Sequence, residues 1–143
     1  MTTIRDVMKS PAMAVRPDAT LAEAVEFLTE HHIGGAPVAG DDNVVVGIIS
    51  ELALIDVVFD EAARRAPISK YMTSEVHVVD ADESLSRAAK LFALYSFRRL
   101  PVVEDGKLVG VVSRRDLMNY ALRTNQTLRE PLLELIPELA ALS

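Results

Sequence analysis

The 143-residue chain contains no cysteine. Disulfide bonds and thiolate metal sites are therefore excluded, and a reducing compartment is permitted. The N-terminal stretch MTTIRDVMKS lacks the apolar centre of a signal peptide. No apolar run approaches the ~20 residues that a membrane-spanning helix requires. These absences predict a cytoplasmic protein with no membrane partner.

Positive charge is also scarce in this sequence. There are 15 Lys and Arg residues against 21 Asp and Glu residues, and the formal net charge is −6 at pH 7. Proteins that bind nucleic acid usually present a basic surface, so we expect no nucleic-acid partner. Half of the residues are hydrophobic and a quarter are charged, which is the composition of an ordinary globular protein.

An internal repeat organises the chain. Three pairs of segments match: VMKS at 7–10 with YMTS at 71–74, PV at 37–38 with PV at 101–102, and GIIS at 47–50 with GVVS at 110–113. The offset is 64 residues for the first two pairs and 63 for the third, because the turn between the second and third segments is one residue shorter in the second copy. A repeat of this length indicates one supersecondary unit used twice.

Each copy predicts the element order β-α-β-β-α. An extended piece (13–16; 76–79) precedes a helix whose apolar residues recur at i, i+3, i+4 and i+7, starting at Leu21 and Leu85. Thr20 and Glu23 predict a capping box, and Ser84 is expected to cap the equivalent helix. Two strands around a polar turn (36–38 and 44–49; 100–103 and 108–112) and a closing helix follow.

These elements predict an α/β (α+β) fold. One copy of roughly 50 residues would bury too little surface alone, so we expect the two copies to pack as one module with pseudo-two-fold symmetry. The predicted boundaries are 4–60 for the first repeat, 68–124 for the second and 127–143 for a helical C-terminal tail. The tail has leucines at helical spacing that would cover either its own chain or, as we favour, a second subunit.

The order Met-(Lys/Thr)-Ser, amphipathic helix, apolar-Pro-Val, Gly-apolar-apolar-Ser and closing helix resembles a tandem pair of cystathionine-beta-synthase-type (CBS) domains. The resemblance covers about residues 4–122. It implies a regulatory module that requires no cofactor and forms a disc-shaped homodimer. It also implies a cleft between the two copies for an adenosine-containing ligand: AMP, ADP or ATP, or less often S-adenosylmethionine or a dinucleotide such as NAD.

The ligand signature of that family is Gly-apolar-apolar-(Ser/Thr)-x-x-(Asp/Asn), whose acid binds the ribose hydroxyls. The second copy matches it with Ser113 and Asp116, whereas Ala53 fills the position of the acid in the first copy. The resemblance therefore implies one competent nucleotide site per chain. The alternative is structural, because Ser-x-x-Asp at a helix start is also close to a capping box.

Four arginines flank the second copy's strands in this acidic chain. They are Arg98, Arg99, Arg114 and Arg115. We expect them at one end of the sheet beside a helix N-terminus, where guanidinium groups can bind phosphate oxygens. The matching first-copy residues, Gly34, Gly35, Glu51 and Leu52, carry no positive charge. The alternative is that some of these arginines pair with surface carboxylates.

The resemblance also implies an apolar slot for adenine. Val78, Leu100 and Pro101 would supply it from the second copy, and His32, Ile33 and Gly34 would close the cleft from the first. The consecutive glycines 34 and 35 would let the backbone approach a ligand, or would only form a flexible turn.

No catalytic or metal site is predicted. The sequence has no nucleophile elbow, glycine-rich phosphate loop or pair of catalytic carboxylates, and its histidines lack metal-ligand spacing. We therefore expect an adenine-nucleotide sensor that acts in trans on an unidentified effector protein. The alternatives are a ligand-independent dimerisation or scaffold module and an enzyme acting on a nucleotide.

Overall fold

The computed structural model describes residues 2–124 and has the expected α/β composition. The element order is α1 (Leu21–Glu30), β1 (Gly35–Ala39), β2 (Val45–Ser50), α2 (Glu51–Leu54), α3 (Glu61–Arg64), β3 (Val79–Asp80), α4 (Leu85–Leu94), β4 (Arg99–Glu104), β5 (Lys107–Ser113) and α5 (Arg114–Thr124). Both predicted amphipathic helices and both strand pairs are present. The predicted tail at 127–143 lies outside the described residues.

The chain forms two compact units that do not coincide with the sequence repeats. The first-repeat unit contains residues 12–77 and 105–108. The second-repeat unit contains, among the described residues, 2–11, 78–104 and 109–124. The segment that leads into each repeat therefore belongs to the unit built around the other repeat.

The first-repeat unit is a two-stranded antiparallel sheet covered by α1. Strands β1 and β2 pair from Gly35 opposite Ser50 to Ala39 opposite Val45, with an irregularity at Val38. The predicted extended piece at 13–16 contributes only one parallel bridge, from Val15 to Val38. The largest core side chains are apolar and at most 3% exposed: Leu21, Leu28, Val38, Ile49, Leu54 and Ile68.

The second-repeat unit has a three-stranded sheet in the order β3-β4-β5. Strand β3 runs parallel to β4, and β4 is connected to β5 by the turn Asp105-Gly106, in which both residues have positive φ. The core is formed mainly by apolar side chains from the sheet and α4, together with one from the N-terminal segment: Ile4, Val79, Ala88, Leu91, Leu100, Val102 and Val112.

The glycines of the Gly-x-x-Ser motifs are required where the leading segments cross the sheets. Lys9 and Val111 exchange two main-chain hydrogen bonds of 2.9 and 3.0 Å. A Cβ atom on Gly110 would lie 2.7 Å from the Met8 Sδ and 2.9 Å from the Lys9 carbonyl oxygen. Gly47 meets Met72 in the same way, at 2.5 Å from its Sδ. The repeated Met and Gly motifs are therefore packing partners.

The helix-capping predictions have different outcomes. Thr20 accepts a hydrogen bond from the Glu23 N–H at 3.1 Å, and Glu23 accepts one from the Thr20 N–H at 3.0 Å, which confirms the capping box. The prediction for Ser84 is wrong: its side chain makes no capping hydrogen bond. The Arg87 N–H, which the hydroxyl would have capped, donates instead to the main-chain carbonyl of Ser84 at 3.1 Å.

The capping box predicts a pH-dependent contribution to stability. The backbone hydrogen bond from Thr20, followed by its side-chain hydrogen bond, lowers the pKa of Glu23 below its usual 4.5. A carboxyl whose pKa is lower in the folded state stabilises the fold above the unfolded pKa, and this contribution is lost as the pH falls through the folded pKa. Urea unfolding should therefore show Glu23→Gln to be less stable than the wild type at pH 7, with the gap closing below about pH 4. A gap that stays constant over this range would contradict the explanation.

No helix within residues 2–124 is long and apolar enough to cross a lipid bilayer.

Candidate functional site

The first turn of α5 contains the acid that the sequence singles out. The Asp116 N–H donates to the Ser113 Oγ at 3.0 Å, and the Ser113 N–H donates to the Asp116 Oδ2 at 2.8 Å. The pair is thus a complete capping box. In the first repeat, Ser50 caps α2 alone by accepting from the Ala53 N–H at 3.2 Å. The equivalent helix of the first repeat therefore starts without an acid at the third helical position, where Ala53 stands, so capping does not by itself explain Asp116.

The other oxygen of Asp116 faces a basic side chain. Its Oδ1 lies 3.7 Å from the Lys9 Nζ, and the Asp116 side chain is only 11% exposed whereas that of Lys9 is 84% exposed. An ion pair with such an exposed partner contributes little to stability. A carboxylate oxygen has two lone pairs, so Oδ1 keeps the capacity to accept hydrogen bonds from a ligand.

Asp116 borders a cavity of about 350 Å³ within the second-repeat unit. Among the described residues, its wall contains two from the N-terminal segment, Val7 and Lys9, and three from α5, Asp116, Asn119 and Arg123. The α5 residues are spaced i, i+3 and i+7 and so share one face of the helix. The volume falls in the range of small-molecule sites, and the lining offers one carboxylate, one amide and two cations.

Sequence reasoning missed four of these five residues. The helical spacing from Asp116 was a signal for Asn119 and Arg123. Val7 and Lys9 had no local signal, because only the tertiary bridge between Lys9 and Val111 brings the N-terminal segment to α5.

The four predicted phosphate-binding arginines cluster only in part. The Arg114 N–H donates to the Arg98 carbonyl at 3.3 Å, so the start of α5 and the start of β4 lie side by side as expected. None of the four lines the cavity beside Asp116. Within the part of the chain that the structure describes, none pairs with a carboxylate either. Arg98, Arg114 and Arg115 are exposed, and Arg99 is half-buried.

The residues predicted to form the adenine slot differ in their accessibility. Leu100 is 1% exposed and Pro101 is also fully buried, and Leu100 belongs to the core of the second-repeat unit. Three consecutive buried residues at 100–102 mean that β4 is covered on both faces. The side chains of Leu100 and Pro101 are therefore inaccessible, and a ligand could contact mainly the main-chain atoms of these residues. Val78 is more accessible, because it is only half-buried. A role in binding adenine stays a prediction for all three.

The first-repeat residues of the predicted cleft lie between α1 and β1. His32 is exposed with φ of 53°, Ile33 packs against the core of its unit, and the Gly34 carbonyl accepts from the Glu51 N–H at 2.9 Å. A Cβ on Gly35 would lie 2.8 Å from the Ile49 carbonyl oxygen. Close packing of β1 against β2 thus explains why residue 35 is glycine. Contact between a ligand and His32, Ile33 or Gly34 stays a prediction.

Within residues 2–124 there is no group of three or more His, Asp or Glu side chains positioned to hold a metal ion.

Comparison with known proteins gives consistent matches along the chain. A family model described as CBS domain matches twice, at residues 4–60 and 68–123. A 17.7 kDa protein of Acidianus ambivalens is 34% identical over 122 residues, which cover 85% of this chain and 74% of the relative. Protein MJ1225 of Methanocaldococcus jannaschii is 31% identical over 80% of this chain, but the match spans only 41% of that relative's length.

A solved structure with a bound ligand is also similar. The crystal structure of CBSX2 in complex with AMP matches with a TM-score of 0.78 and 31% identity, over 88% of this chain and 100% of that one. CBSX2 is a CBS-pair protein from Arabidopsis thaliana.

Proposed function

The chain belongs to the CBS-domain family, and we propose that it is a regulatory module that binds an adenine nucleotide beside Asp116. The observation that carries this proposal is the placement of Asp116 on the wall of a ligand-sized cavity, with an oxygen left over after capping. The complex of the similar protein CBSX2 with AMP supports the choice of ligand class.

The carboxylate and the cations of the site would contact different parts of the ligand. Both ribose hydroxyls can donate to an ionised carboxylate, and each such charge-assisted hydrogen bond is worth about 1.5–3 kcal/mol. The phosphate would lie among the cations of the cavity, Lys9 and Arg123. Arg98, Arg99, Arg114 and Arg115 would add longer-range attraction at the same end of the sheet.

We propose a single competent site per chain. In the first repeat, Ala53 supplies no acceptor for ribose hydroxyls, and α2 ends at Leu54 after four residues. The first repeat therefore lacks both the acid and the long helical face that borders the cavity in the second repeat.

The nucleotide signal would be transmitted through association with other chains. Each repeat exposes two large apolar side chains after its second strand at equivalent positions, Ile55 and Phe59 in the first and Met118 and Leu122 in the second, with exposures between 54% and 83%. Exposed apolar side chains of this size favour a protein–protein interface, most simply an isologous homodimer. A nucleotide that prefers one arrangement of the module would then change its affinity for an effector protein in trans.

Calorimetry on the full chain tests the proposed function. AMP, ADP, ATP, NAD and S-adenosylmethionine should be titrated separately, and at least one adenine nucleotide should bind with a Kd of about 1 μM to 1 mM and one site per chain.

The second candidate is a ligand-independent scaffold, which the self-sufficient capping box favours because Asp116 is already partnered. Absence of binding heat with every ligand would support the scaffold, and conversion of the bound nucleotide would indicate an enzyme.

A further inference from the structure

The cavity beside Asp116 contains two cations outside the predicted arginine cluster. Lys9 enters from the N-terminal segment, where both of its main-chain groups are hydrogen-bonded to Val111. Its Cα is therefore held in place, although its ammonium group is largely exposed. Arg123 lies two turns beyond Asp116 on the same face of α5, and long side chains on a helix lean back toward its N-terminus. Both cations can thus reach a ligand held at Asp116.

Among the described residues of the lining, positive charges outnumber negative ones. Lys9 and Arg123 contribute two positive charges and Asp116 contributes one negative charge. Ribose hydroxyls that donate to the Asp116 Oδ1 would compete with the Lys9 ammonium, which now lies 3.7 Å away. Ligand binding would therefore release Lys9 toward the part of the ligand that extends beyond the ribose. An anionic group of the ligand at that point would replace the Asp116 carboxylate as the partner of the Lys9 ammonium group.

The equivalent positions of the first repeat show that this arrangement belongs to one repeat. The residues that correspond to Lys9, Asp116, Asn119 and Arg123 are Thr73, Ala53, Asp56 and Asp60. They include no cation and two carboxylates. Asp60 is also engaged, because its carboxylate accepts from the Ala62 and Ala63 N–H groups at 2.9 and 3.3 Å. The corresponding sequence positions of the first repeat therefore offer a phosphate no cation, whereas those of the second repeat offer two.

We infer that Lys9 and Arg123 make this site selective for the charge of its ligand, so that it binds nucleoside phosphates in preference to adenosine or S-adenosylmethionine. The inference rests on the proposed function and deepens it. Adenosine has the ribose but no anion for the two cations. S-adenosylmethionine carries a sulfonium cation where a phosphate would be attached, so the charge nearest to Lys9 and Arg123 would be positive. Its carboxylate lies farther along the methionine chain, beside an ammonium group.

Titrations of the full chain with AMP, adenosine and S-adenosylmethionine test the selectivity. The wild type should bind AMP at least about tenfold more tightly than either other ligand, which is the effect of one charge-assisted contact. The double variant Lys9→Gln/Arg123→Gln should lose about that factor for AMP while its affinity for adenosine changes less than about twofold. The matched control is Arg114→Gln/Arg115→Gln, which removes two exposed cations outside the cavity and should weaken AMP binding by less than the first double variant.

The outcomes separate this inference from the proposed function. If the Lys9/Arg123 variant is folded by circular dichroism and binds AMP as the wild type does, the selectivity inference is wrong although the proposed function stands. Equal wild-type affinity for AMP and adenosine would overturn it in the same way, and so would a larger AMP loss in the Arg114/Arg115 variant. If the wild type binds none of the three ligands and binds neither ADP nor ATP, the proposed function itself fails.

Discussion

Replacing Asp116 by alanine is expected to weaken nucleotide binding by at least about tenfold, the equivalent of ~1.4 kcal/mol. The substitution removes the acceptor for the ribose hydroxyls from the wall of the cavity. It also removes the acceptor for the Ser113 N–H, so some loss of stability accompanies the loss of binding. Calorimetry with AMP measures the first effect and urea unfolding measures the second.

Ser113→Ala is the control that separates ligand binding from helix capping. It removes the hydroxyl that accepts from the Asp116 N–H, but it leaves the carboxylate in the cavity. Loss of an N-cap side chain typically costs about 0.5–2 kcal/mol of stability. We therefore expect Ser113→Ala to be less stable than the wild type and still to bind AMP with an affinity within about threefold of it, a difference of under 1 kcal/mol. Unchanged AMP affinity in a folded Asp116→Ala protein would leave Asp116 with capping as its only role.

The second large effect is expected for Gly110→Ala. The added Cβ would lie 2.9 Å from the Lys9 carbonyl oxygen and 2.7 Å from the Met8 Sδ, so the N-terminal segment must move. Overpacking of this kind typically costs about 1–3 kcal/mol. Movement of the segment would also displace Lys9 from the cavity, so AMP binding should weaken together with stability. Urea unfolding and calorimetry on the same preparation measure both effects.

Gly40→Ala is the matched control for this substitution. The nearest atoms to a Cβ on Gly40 are side-chain carbons of Val46 and Pro17 at 3.8 and 3.9 Å, which is ordinary contact distance. We expect a change in unfolding free energy within about 0.5 kcal/mol. A Gly110→Ala protein as stable as Gly40→Ala would show that the crossing of the N-terminal segment over β5 is looser than the structure indicates.

The secondary structure was predictable wherever the signal was local. The apolar stripes that start at Leu21 and Leu85 mark α1 and α4, because a period of 3.6 residues is set by the helix itself. The capping box of Thr20 and Glu23 follows from the same short-range geometry. Ser84 shows the limit of such reasoning, since a residue of the right type stands at the N-cap position without using its side chain.

Features that depend on tertiary contacts could not be predicted from one sequence. In the sequence, Met8 and Gly110 belong to two separate motifs, and only the fold shows that these two residues are in contact. The assignment of residues 2–11 to the second-repeat unit is of the same kind, because no local pattern records which strand a segment will meet. For this reason the charge pattern around Ser113 indicates the neighbouring arginines but not Lys9, which is more than 100 residues away along the chain.

A crystal structure of the chain grown with AMP tests most directly whether only the second repeat binds a nucleotide. We predict one nucleotide per chain, with its ribose hydroxyls on the Asp116 carboxylate and its phosphate beside Lys9 and Arg123. A nucleotide bound against Ala53, with the cavity beside Asp116 empty in the same crystal, would contradict the account.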